Sequence, residues 1–365
     1  MSEEIQRITM PKWGLSMKTG KVIEWFVAEG DTLDKGDDLA DIETEKIAGT
    51  LESPQPGLLR RIVAEPGVEL PVGATLAVLA PAEVPDSDVD AVVAEARAQL
   101  ESGELGGEEE ILPSTAEVDG RSISYVTMGD APGEPVVLVH GFGGDKNSWL
   151  FVQQPLSETH TVHALDLPGH GASEKDVGDG SLDTLAGTVL GFLDVIGAER
   201  AHLVGHSLGG AVVAAVAARA PDRVSGLTLL APAGYGAQGS RPDAEYLRGF
   251  AGAASRRELK PLLGRLFADP ALVTRQLVDD LLKYKRLDGV STALQALLAT
   301  LLDGDKQAID TPALLAGVNV PVTVIWGGAD QILSVPTGVD VTRVEAGHML
   351  HMEAANDVLA DLYGR

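Results

Sequence analysis

Residues 205–209 read Gly-His-Ser-Leu-Gly, which places a serine between two glycines at the spacing G-x-S-x-G. An apolar run, residues 202–204, precedes this motif, and a stretch rich in small residues, 210–219, follows it. A strand that turns sharply into a helix at such a motif presents the serine oxygen above the sheet, and the glycines let backbone segments approach closely. The backbone N–H of Leu208, at the start of the helix, can stabilise an oxyanion. The pattern predicts Ser207 as a nucleophile.

A nucleophilic serine needs a base and an acid that orients the base. In this arrangement they follow in the chain order serine, aspartate, histidine. Asp330 and His348 each come just after an apolar run, 322–326 and 339–344. We therefore predict the triad Ser207, His348 and Asp330. Asp330 could instead be a turn aspartate only, and His351 is a rival base that we expect on the following helix.

The elements that must position these residues are short apolar runs separated by helical stretches. Residues 122–128 follow an Asp119-Gly120 turn and predict one arm of an antiparallel hairpin. Further strands are expected at 136–139, 161–165, 202–204, 227–230, 322–326 and 339–344. This alternation favours a mainly parallel α/β sheet. Both Asp330 and His348 then lie at the sheet edge where the loops converge.

Two further motifs carry a resemblance to a known fold. Residues 140–144 read His-Gly-Phe-Gly-Gly directly after a strand, and residues 166–171 read Asp-Leu-Pro-Gly-His-Gly. With the serine motif, they make residues 114–365 similar to the α/β-hydrolase fold. The resemblance implies that the backbone N–H of Phe142 is the second oxyanion donor. We expect His140 to brace its turn and His170 to pack in another turn, so neither is placed among the catalytic residues.

The same resemblance implies a helical lid at about 233–311. Residues 240–290 carry ten basic and seven acidic residues, a positive excess in an acidic protein. Arg256, Arg257 and Lys260 form the densest group, and we consider them candidate contacts for the phosphates of an acyl acceptor. Ordinary solvated helix faces are the alternative interpretation.

The first 80 residues contain an internal repeat at an offset of 37 positions. Its matches are Gly20, Gly30, Leu33, Gly36 and Leu39 with Gly57, Gly67, Leu70, Gly73 and Leu76. Each half is a run of short alternating segments separated by glycine and proline, which is typical of strands and turns. Two such units are too short to fold singly, so we expect them to pack together with pseudo-twofold symmetry.

Lys46 lies in Glu43-Thr44-Glu45-Lys46, between the two repeats and near the tip of a predicted hairpin. On the residues alone it is a displayed lysine. With Met10-Pro11, Trp13-Gly14, Met17 and Gly20, however, residues 1–80 resemble a lipoyl domain. That family carries lipoic acid in amide linkage on the lysine at this turn, which implies Lys46 here. Related biotin carriers have methionine on both sides of the lysine, whereas Glu45 and Ile47 flank Lys46.

Charge separates the two parts of the chain. Residues 81–112 carry ten acidic residues and one basic residue, contain no aromatic residue and are bordered by prolines. Residues 88–100 are compatible with a short helix. Repulsion between the acidic side chains and low hydrophobicity, however, favour an extended tether. We expect a multidomain chain: an all-β lipoyl/biotinyl-type sandwich at 1–80, an acidic linker at 81–113 and an α/β-hydrolase domain at 114–365, with a mostly parallel sheet.

Composition excludes several classes of protein. The 365 residues have a net charge of −26 and no cysteine, which excludes disulfides, thiolate catalysis and Cys metal sites. We expect no metal site. An acidic chain is a poor nucleic-acid binder, because phosphates reward Lys and Arg. The N-terminus lacks the features of a secretory signal, and no apolar run is long enough to cross a bilayer. These features predict a soluble, cytoplasmic bacterial protein.

A lipoyl domain joined to an α/β-hydrolase domain resembles the dihydrolipoamide acetyltransferase components of acetoin dehydrogenase complexes. The resemblance implies acetyl transfer from dihydrolipoyl-Lys46 to coenzyme A (CoA). It also implies thiamine-diphosphate-dependent acetoin dehydrogenase subunits and dihydrolipoamide dehydrogenase as partners, and a homo-oligomer within a multienzyme complex. The His-x-x-x-Asp-Gly signature of the usual 2-oxoacid acyltransferases is absent, and so is their basic helical module between domains.

Two alternatives to the acetyltransferase remain open. In the first, the second domain is a true hydrolase of a thioester, an ester or a C–C bond. In the second, it is an inactive scaffold that docks partner enzymes. An intact set of serine, histidine and aspartate argues against the scaffold. The sequence also leaves open whether Ser207 forms an acyl-enzyme or whether the base activates CoA directly.

Overall fold

The computed structural model describes residues 5–11, 17–44, 48–102, 112–235 and 244–363. The chain divides into a first compact unit, Met1–Glu110 with Thr274–Leu277, and a second, Ile111–Val273 with Val278–Arg365. Within the described ranges, none of the helices combines the length and the apolarity needed to cross a bilayer.

The described residues of the first unit form eight strands and one helix. They are β1 (Gln6–Thr9), β2 (Thr19–Trp25), β3 (Thr32–Leu33), β4 (Asp38–Thr44), β5 (Ala48–Glu52), β6 (Gly57–Ile62), β7 (Glu69–Pro71), β8 (Thr75–Leu79) and α1 (Asp86–Ser102). The strands form two four-stranded sheets, in the orders β1-β8-β6-β3 and β5-β4-β2-β7. The core is apolar and includes the fully buried side chains of Leu39, Ile42, Leu59 and Leu76. The predicted all-β unit is confirmed.

The repeat seen in the sequence is also a repeat in the structure. Strands β2, β3 and β4 of one half correspond to β6, β7 and β8 of the other, and each sheet combines strands from both halves. The Gly30 N–H donates to the Leu59 carbonyl at 2.7 Å, and the Gly67 N–H donates to the Val22 carbonyl at 2.8 Å. Both glycines have positive φ, 99° and 84°, which a side chain would disfavour. The expected pseudo-twofold symmetry is confirmed by these matched pairs.

The register fixes the direction of the strands around the hairpin formed by β4 and β5. Strand β2 lies between β4 and β7, and Gly20 is opposite both Thr44 and Leu70. Thr44 is the last residue of β4 before the hairpin, so Leu70 also lies near the hairpin. Strand β7 ends one residue later, at Pro71, and β8 begins at Thr75. Strand β8 therefore starts near the hairpin and runs away from it. Its last residue, Leu79, is opposite Gln6, the first residue of β1.

Residues 86–102 do not form the extended tether that the acidic composition predicts. Residues Asp86–Ser102 form α1, which packs on β6 and β8 of the first unit. Val89 and Ala96 are fully buried, and Val93 is nearly so. The expected self-repulsion is reduced because arginines on the strands pair with helix carboxylates: Arg7 with Glu95, Arg60 with Asp86, and Arg61 with Asp90. Residues 103–111 lie outside the described residues.

Substituting Val89 with Asp should release α1 from the strands. The Val89 side chain has no exposed surface, and burying an unpaired carboxylate costs several kcal/mol. We expect hydrogen exchange in full-length protein to accelerate at least tenfold in peptides covering 86–102. Ala91→Asp adds the same charge on the exposed face of the same helix and should leave exchange near the wild-type rate. Equal protection in the two variants would contradict the packing of α1.

Ten strands lie within the described part of the second unit. They are β9 (Ser114–Val118), β10 (Arg121–Met128), β11 (Val136–Val139), β12 (Val162–Leu165), β13 (Ala201–His206), β14 (Val224–Leu230), β15 (Leu302–Asp303), β16 (Lys306–Gln307), β17 (Val322–Gly327) and β18 (Thr342–Val344). Eight of them form one sheet in the order β18-β17-β14-β13-β11-β12-β10-β9. The pairs from β12 to β18 are parallel, and the β9–β10 hairpin adds antiparallel strands at one edge. The predicted α/β class is confirmed.

Ten α-helices accompany these strands where the structure describes the chain. They are α2 (Leu150–Leu156), α3 (Leu182–Val195), α4 (Leu208–Arg219), α5 (Ala244–Gly252), α6 (Arg256–Gly264), α7 (Arg275–Lys285), α8 (Val290–Leu301), α9 (Thr311–Leu315), α10 (Leu350–Glu353) and α11 (Ala355–Tyr363). Helices α5 to α8 lie between β14 and β17, where the sequence predicts the lid. Residues 236–243 of the predicted lid lie outside the described residues.

Candidate active site

Ser207 occupies the turn between β13 and α4, as the motif predicts. Its backbone has φ 52° and ψ −115°, a strained conformation for a residue with a side chain. Hydrogen bonds on both sides hold it: the Ser207 N–H donates to the Leu230 carbonyl, and the Ser207 carbonyl accepts from the Ala233 N–H, both at 2.9 Å. The side chain is only half-buried. Ser207 is thus fixed at the carboxyl end of a central parallel strand with its hydroxyl accessible.

The last glycine of the serine motif, Gly209, allows α4 to approach the neighbouring strand. A Cβ atom on Gly209 would lie 2.1 Å from the carbonyl oxygen of Val139, the last residue of β11. No side chain fits at that distance, so a glycine is required. The position of this glycine in the motif therefore reflects the packing of the turn between β13 and α4 against β11.

The loop after β11 lies directly against the serine. A Cβ atom on Gly141 would be 3.0 Å from Ser207 Cβ and 2.9 Å from His206 Nδ1. The next residue in this loop is Phe142. In the described part of the chain, the backbone N–H groups of Phe142 and Leu208 donate to no protein acceptor. Phe142 and Leu208 therefore remain the predicted oxyanion donors, and both N–H groups are available for that role.

Gly141→Ala should test how close this approach is. The added methyl group would push the loop away from Ser207, because the 3.0 Å separation is shorter than an ordinary carbon–carbon contact. We expect kcat for acyl-ester cleavage to fall by about tenfold to a hundredfold with little change in KM. Gly317→Ala is the matched control, because a Cβ atom there meets nothing within 4 Å. Equal kcat in the two variants would argue against an oxyanion role for the loop.

Asp330 and His348 form a buried hydrogen-bonded pair. Asp330 follows β17 and His348 follows β18, and Asp330 Oδ2 lies 2.7 Å from His348 Nδ1. The Asp330 side chain is fully buried, and its other oxygen accepts from the N–H groups of Ile332 and Leu333 at 2.7 and 2.9 Å. The carboxylate is therefore fixed on three sides and orients the ring. With Nδ1 as the donor to Asp330, Nε2 remains available as a base.

His206, which precedes Ser207, contacts His348 directly. Its Nε2 lies 2.9 Å from the His348 carbonyl oxygen and donates to it, and the two ring centroids are 4.7 Å apart. Burial, together with His351 and His348 nearby, holds the pKa of His206 well below its usual value. A neutral His206 thus links the serine turn to the histidine loop. Its position inside the motif is the only sequence signal that identifies it.

His140 and His170 have the bracing roles that the sequence analysis gives them. His140 Nδ1 donates to the Gly141 carbonyl at 2.8 Å, and its Nε2 accepts from the Leu167 N–H at 3.0 Å. His170 Nε2 accepts from the Gly143 N–H at 3.0 Å, and its Nδ1 donates to the Pro168 carbonyl. Burial lowers the pKa of His170 to about 3. Both rings are neutral, and both support residues 140–144, which we call the proposed oxyanion loop and below simply the oxyanion loop.

A buried ion pair joins the same loops. Asp166 Oδ2 accepts from Lys146 Nζ at 2.6 Å and from the Ala172 N–H at 2.8 Å, and Oδ1 accepts from the Lys146 N–H at 2.7 Å. Burial alone would raise the pKa of Asp166, but the Lys146 ammonium and its hydrogen bond keep that pKa below its usual value. The carboxylate is thus charged and paired, and it fixes the loop that carries Phe142 to the loop that carries His170.

The rival base, His351, lies on α10, as predicted. Its side chain is fully buried, and its ring centroid is 4.5 Å from those of both Trp149 and His206. Burial lowers its pKa to about 3. Asp330 pairs with His348, not with His351, so the geometry favours His348 as the base.

The candidate CoA contacts lie at the start of α6. Arg256 Nε donates to Asp279 Oδ1 of α7 at 2.8 Å, and Arg256 Nη2 contacts the same oxygen. This pairing supplies a structural role for Arg256 within the lid. Arg257 and Lys260 are exposed on α6. The arrangement leaves these two as the more accessible cations of the group.

Lys46 lies outside the described residues. The flanking strands are described, and the last pair of the β4–β5 hairpin is Glu43 with Ala48. Strands β4 and β5 pair antiparallel, and the sequence places Lys46 in the segment that joins them.

Comparison with known families agrees with the two units. Residues 134–354 match the family described as alpha/beta hydrolase fold, and residues 6–79 match the family described as biotin-requiring enzyme. A solved structure, the 2-hydroxy-6-oxo-6-phenylhexa-2,4-dienoate hydrolase of Rhodococcus sp. strain RHA1, is similar with a TM-score of 0.60 and 22% identity. That match covers 70% of this chain and 99% of the hydrolase, and it shows the fold alone.

Two relatives are similar over almost their full length. A Pseudomonas putida protein is 48% identical, covering 97% of this chain and 96% of its own. A Cupriavidus necator protein is 46% identical, covering 98% of this chain and 96% of its own. Both are named dihydrolipoyllysine-residue acetyltransferase component of acetoin cleaving system, which confirms the resemblance stated from the sequence. The chain described here belongs to this family of acetyltransferase components of acetoin cleaving systems.

Proposed function

We propose that this chain transfers an acetyl group from a dihydrolipoyl thioester on Lys46 to the thiol of CoA in acetoin catabolism. The proposed catalytic residues are Ser207, His348 and Asp330. The observation that carries the proposal is the buried Asp330–His348 hydrogen bond, whose histidine contacts the residue next to a strained, accessible serine. Membership of the acetyltransferase family identifies the acyl group and its donor.

In the first half-reaction, Ser207 accepts the acetyl group. Its Oγ forms a bond to the acetyl carbon while the carbon–sulfur bond of the donor breaks. His348 Nε2 takes the serine proton and delivers it to the departing sulfur. Asp330 stabilises the imidazolium, and the N–H groups of Phe142 and Leu208 stabilise the oxyanion.

In the second half-reaction, His348 takes the proton of the CoA thiol. The CoA sulfur bonds to the acetyl carbon, the carbon–oxygen bond of the acyl-serine breaks, and His348 returns the proton to Ser207 Oγ. No electron transfer is needed in either half. Arg257 and Lys260 are the proposed contacts for the CoA phosphates, with Arg256 as a weaker candidate because Asp279 already pairs with it.

A lipoyl group in amide linkage to Lys46 would supply, once reduced, the thiol that carries the acetyl group. We assign residues 1–80 as its carrier domain, 81–113 as the linker that contains α1, and 114–365 as the acyltransferase domain. The carrier would be acetylated by thiamine-diphosphate-dependent acetoin dehydrogenase subunits and reoxidised by dihydrolipoamide dehydrogenase. We propose that the protein acts in the cytoplasm and is a homo-oligomer within a multienzyme complex.

Product analysis tests the proposal. Purified protein is given acetyl-dihydrolipoamide with and without CoA, and acetyl-CoA and acetate are quantified. We expect acetyl-CoA as the main product with CoA present. Acetate alone would overturn the transferase assignment in favour of a hydrolase, and the absence of both products would favour a scaffold.

A further inference from the structure

The side chain of Phe142 is held by the lid rather than by the sheet. It packs against a cluster of buried lid residues, which are Ala251 at the end of α5 and Val290, Leu294 and Leu298 of α8. The backbone of Phe142, by contrast, belongs to the loop beside Ser207. One residue therefore connects the lid core to a proposed oxyanion donor.

Phe250 of α5 contacts the same loop from the lid side. Its ring is nearly fully buried, and its centroid lies 6.1 Å from that of Phe142. A Cβ atom on Gly143 would lie 2.2 Å from Phe250 Cε1, so the ring edge occupies the space that a side chain would need. Gly143 has a φ of 74°, which glycine adopts without strain. The lid thus rests on the two residues that define the turn of the oxyanion loop.

Lys285 fixes Phe250 in this position. Its Nζ donates to the carbonyl oxygens of Phe250 and Ala251, at 2.6 and 3.1 Å. These carbonyls lie in the last turn of α5, where a cation also interacts favourably with the helix dipole. The same Nζ lies 4.9 Å from the Phe250 ring centroid. Lys285 therefore caps α5 and holds its terminal aromatic ring.

The residue beside Lys285 ties the lid to the core of the unit. The Tyr284 hydroxyl donates to the Gly169 carbonyl at 2.8 Å. Gly169 belongs to the loop that includes His170, and His170 accepts from the Gly143 N–H. The end of α7 is thus linked to the oxyanion loop by two routes, one through Phe250 and one through His170.

We propose that Lys285 and Phe250 are positioning residues that hold Phe142, so that its backbone N–H faces the acyl oxygen on Ser207. The oxyanion hole is complete only while α5, α7 and α8 are packed on the loop. Lys285 acts through Phe250, and neither side chain touches the reacting atoms. The inference rests on the proposed function only in requiring that Ser207 can be acylated.

The test uses an acyl donor that needs no CoA. With p-nitrophenyl acetate, Ser207 Oγ bonds to the acetyl carbon, the ester carbon–oxygen bond breaks, and p-nitrophenol leaves with the serine proton. The burst amplitude gives the number of active sites that are acylated. The burst rate constant then gives the acylation rate of the folded enzyme alone. We expect Lys285→Met to lower that rate by about tenfold with KM within twofold of wild type. Lys285→Arg should restore part of the rate, because it can still donate to the α5 carbonyls.

The matched control is Lys283→Met, two residues away on α7. Lys283 is largely exposed and pairs with Asp280 on the surface, so this variant should acylate at the wild-type rate. Phe250→Leu provides a second variant that keeps the buried volume approximately and should lower the rate as Lys285→Met does. Equal rates in Lys285→Met and Lys283→Met would overturn the proposal.

Inhibitor binding separates positioning from a general loss of packing. A trifluoromethyl ketone that replaces the thioester carbonyl forms an oxyanion on Ser207, whereas the matching secondary alcohol does not. In Lys285→Met the inhibition constant of the ketone should rise by the factor lost in acylation, and that of the alcohol should stay unchanged. An unchanged ketone constant, or equal rises for both inhibitors, would contradict the inference. A normal burst without acetyl-CoA formation would instead contradict the proposed function and leave the lid inference intact.

Discussion

Ser207→Ala is expected to reduce acetyl transfer by about 10⁴-fold to 10⁶-fold, the scale of triad nucleophile removal in serine enzymes. The methyl group fits the turn as the native side chain does, so the loss would be chemical. The backbone bonds to Leu230 and Ala233 do not depend on the hydroxyl. Acetyl-CoA formation from acetyl-dihydrolipoamide, measured at saturating CoA, gives the rate.

Ser225→Ala is the control for this variant. Ser225 lies near the start of β14, at the opposite end of the parallel strands from Ser207. It should transfer acetyl groups at the wild-type rate. If Ser207→Ala keeps more than a few per cent of the rate, an acyl-serine is not on the main path, and direct activation of CoA by His348 becomes the better mechanism.

The second large effect is expected at Lys46. Lys46→Arg keeps the positive charge, but its guanidinium does not form the lipoyl amide. The intact mass of protein from lipoylating cells should therefore lack the roughly 188 Da that lipoylation adds. Transfer from an arm acetylated by the partner dehydrogenase should fall to background, because the acetyl group then has no carrier on this chain.

Free acetyl-dihydrolipoamide separates the arm from the active site. Lys46→Arg should use this donor at the wild-type rate, because Ser207 and His348 are unchanged. Lys35→Arg, at an exposed turn lysine of the same unit, should keep both the added mass and the transfer. Retention of the added mass in Lys46→Arg would place the modification on another residue.

The catalytic elements were predictable because their signals are local. The motif around Ser207 specifies a strand, a turn and a helix within a few residues, and the apolar runs before Asp330 and His348 place both at strand ends. The structure adds what a linear sequence does not contain. The Asp330–His348 bond joins loops 18 residues apart, and the His206–His348 contact spans 142 residues.

Helix α1 shows why the prediction of an extended tether was wrong for residues 86–102. Its carboxylates repel one another in isolation, and composition alone therefore favours an extended chain. The stabilising partners, Arg60 and Arg61, lie on β6, more than 20 residues earlier in the chain. The sequence alone does not identify Lys285 and Phe250 for a similar reason. Neither residue belongs to a motif, and their contacts form only when the lid folds.

The direction of β8 has a consequence for where α1 is attached. The strand starts beside the β4–β5 hairpin and runs five residues to Leu79, about 17 Å at the usual rise of 3.3 to 3.4 Å per residue. The chain therefore turns into α1 at the end of the sheets remote from that hairpin, where Asp86 pairs with Arg60. The length of the rigid sheets thus separates the start of α1 from any group displayed at the hairpin.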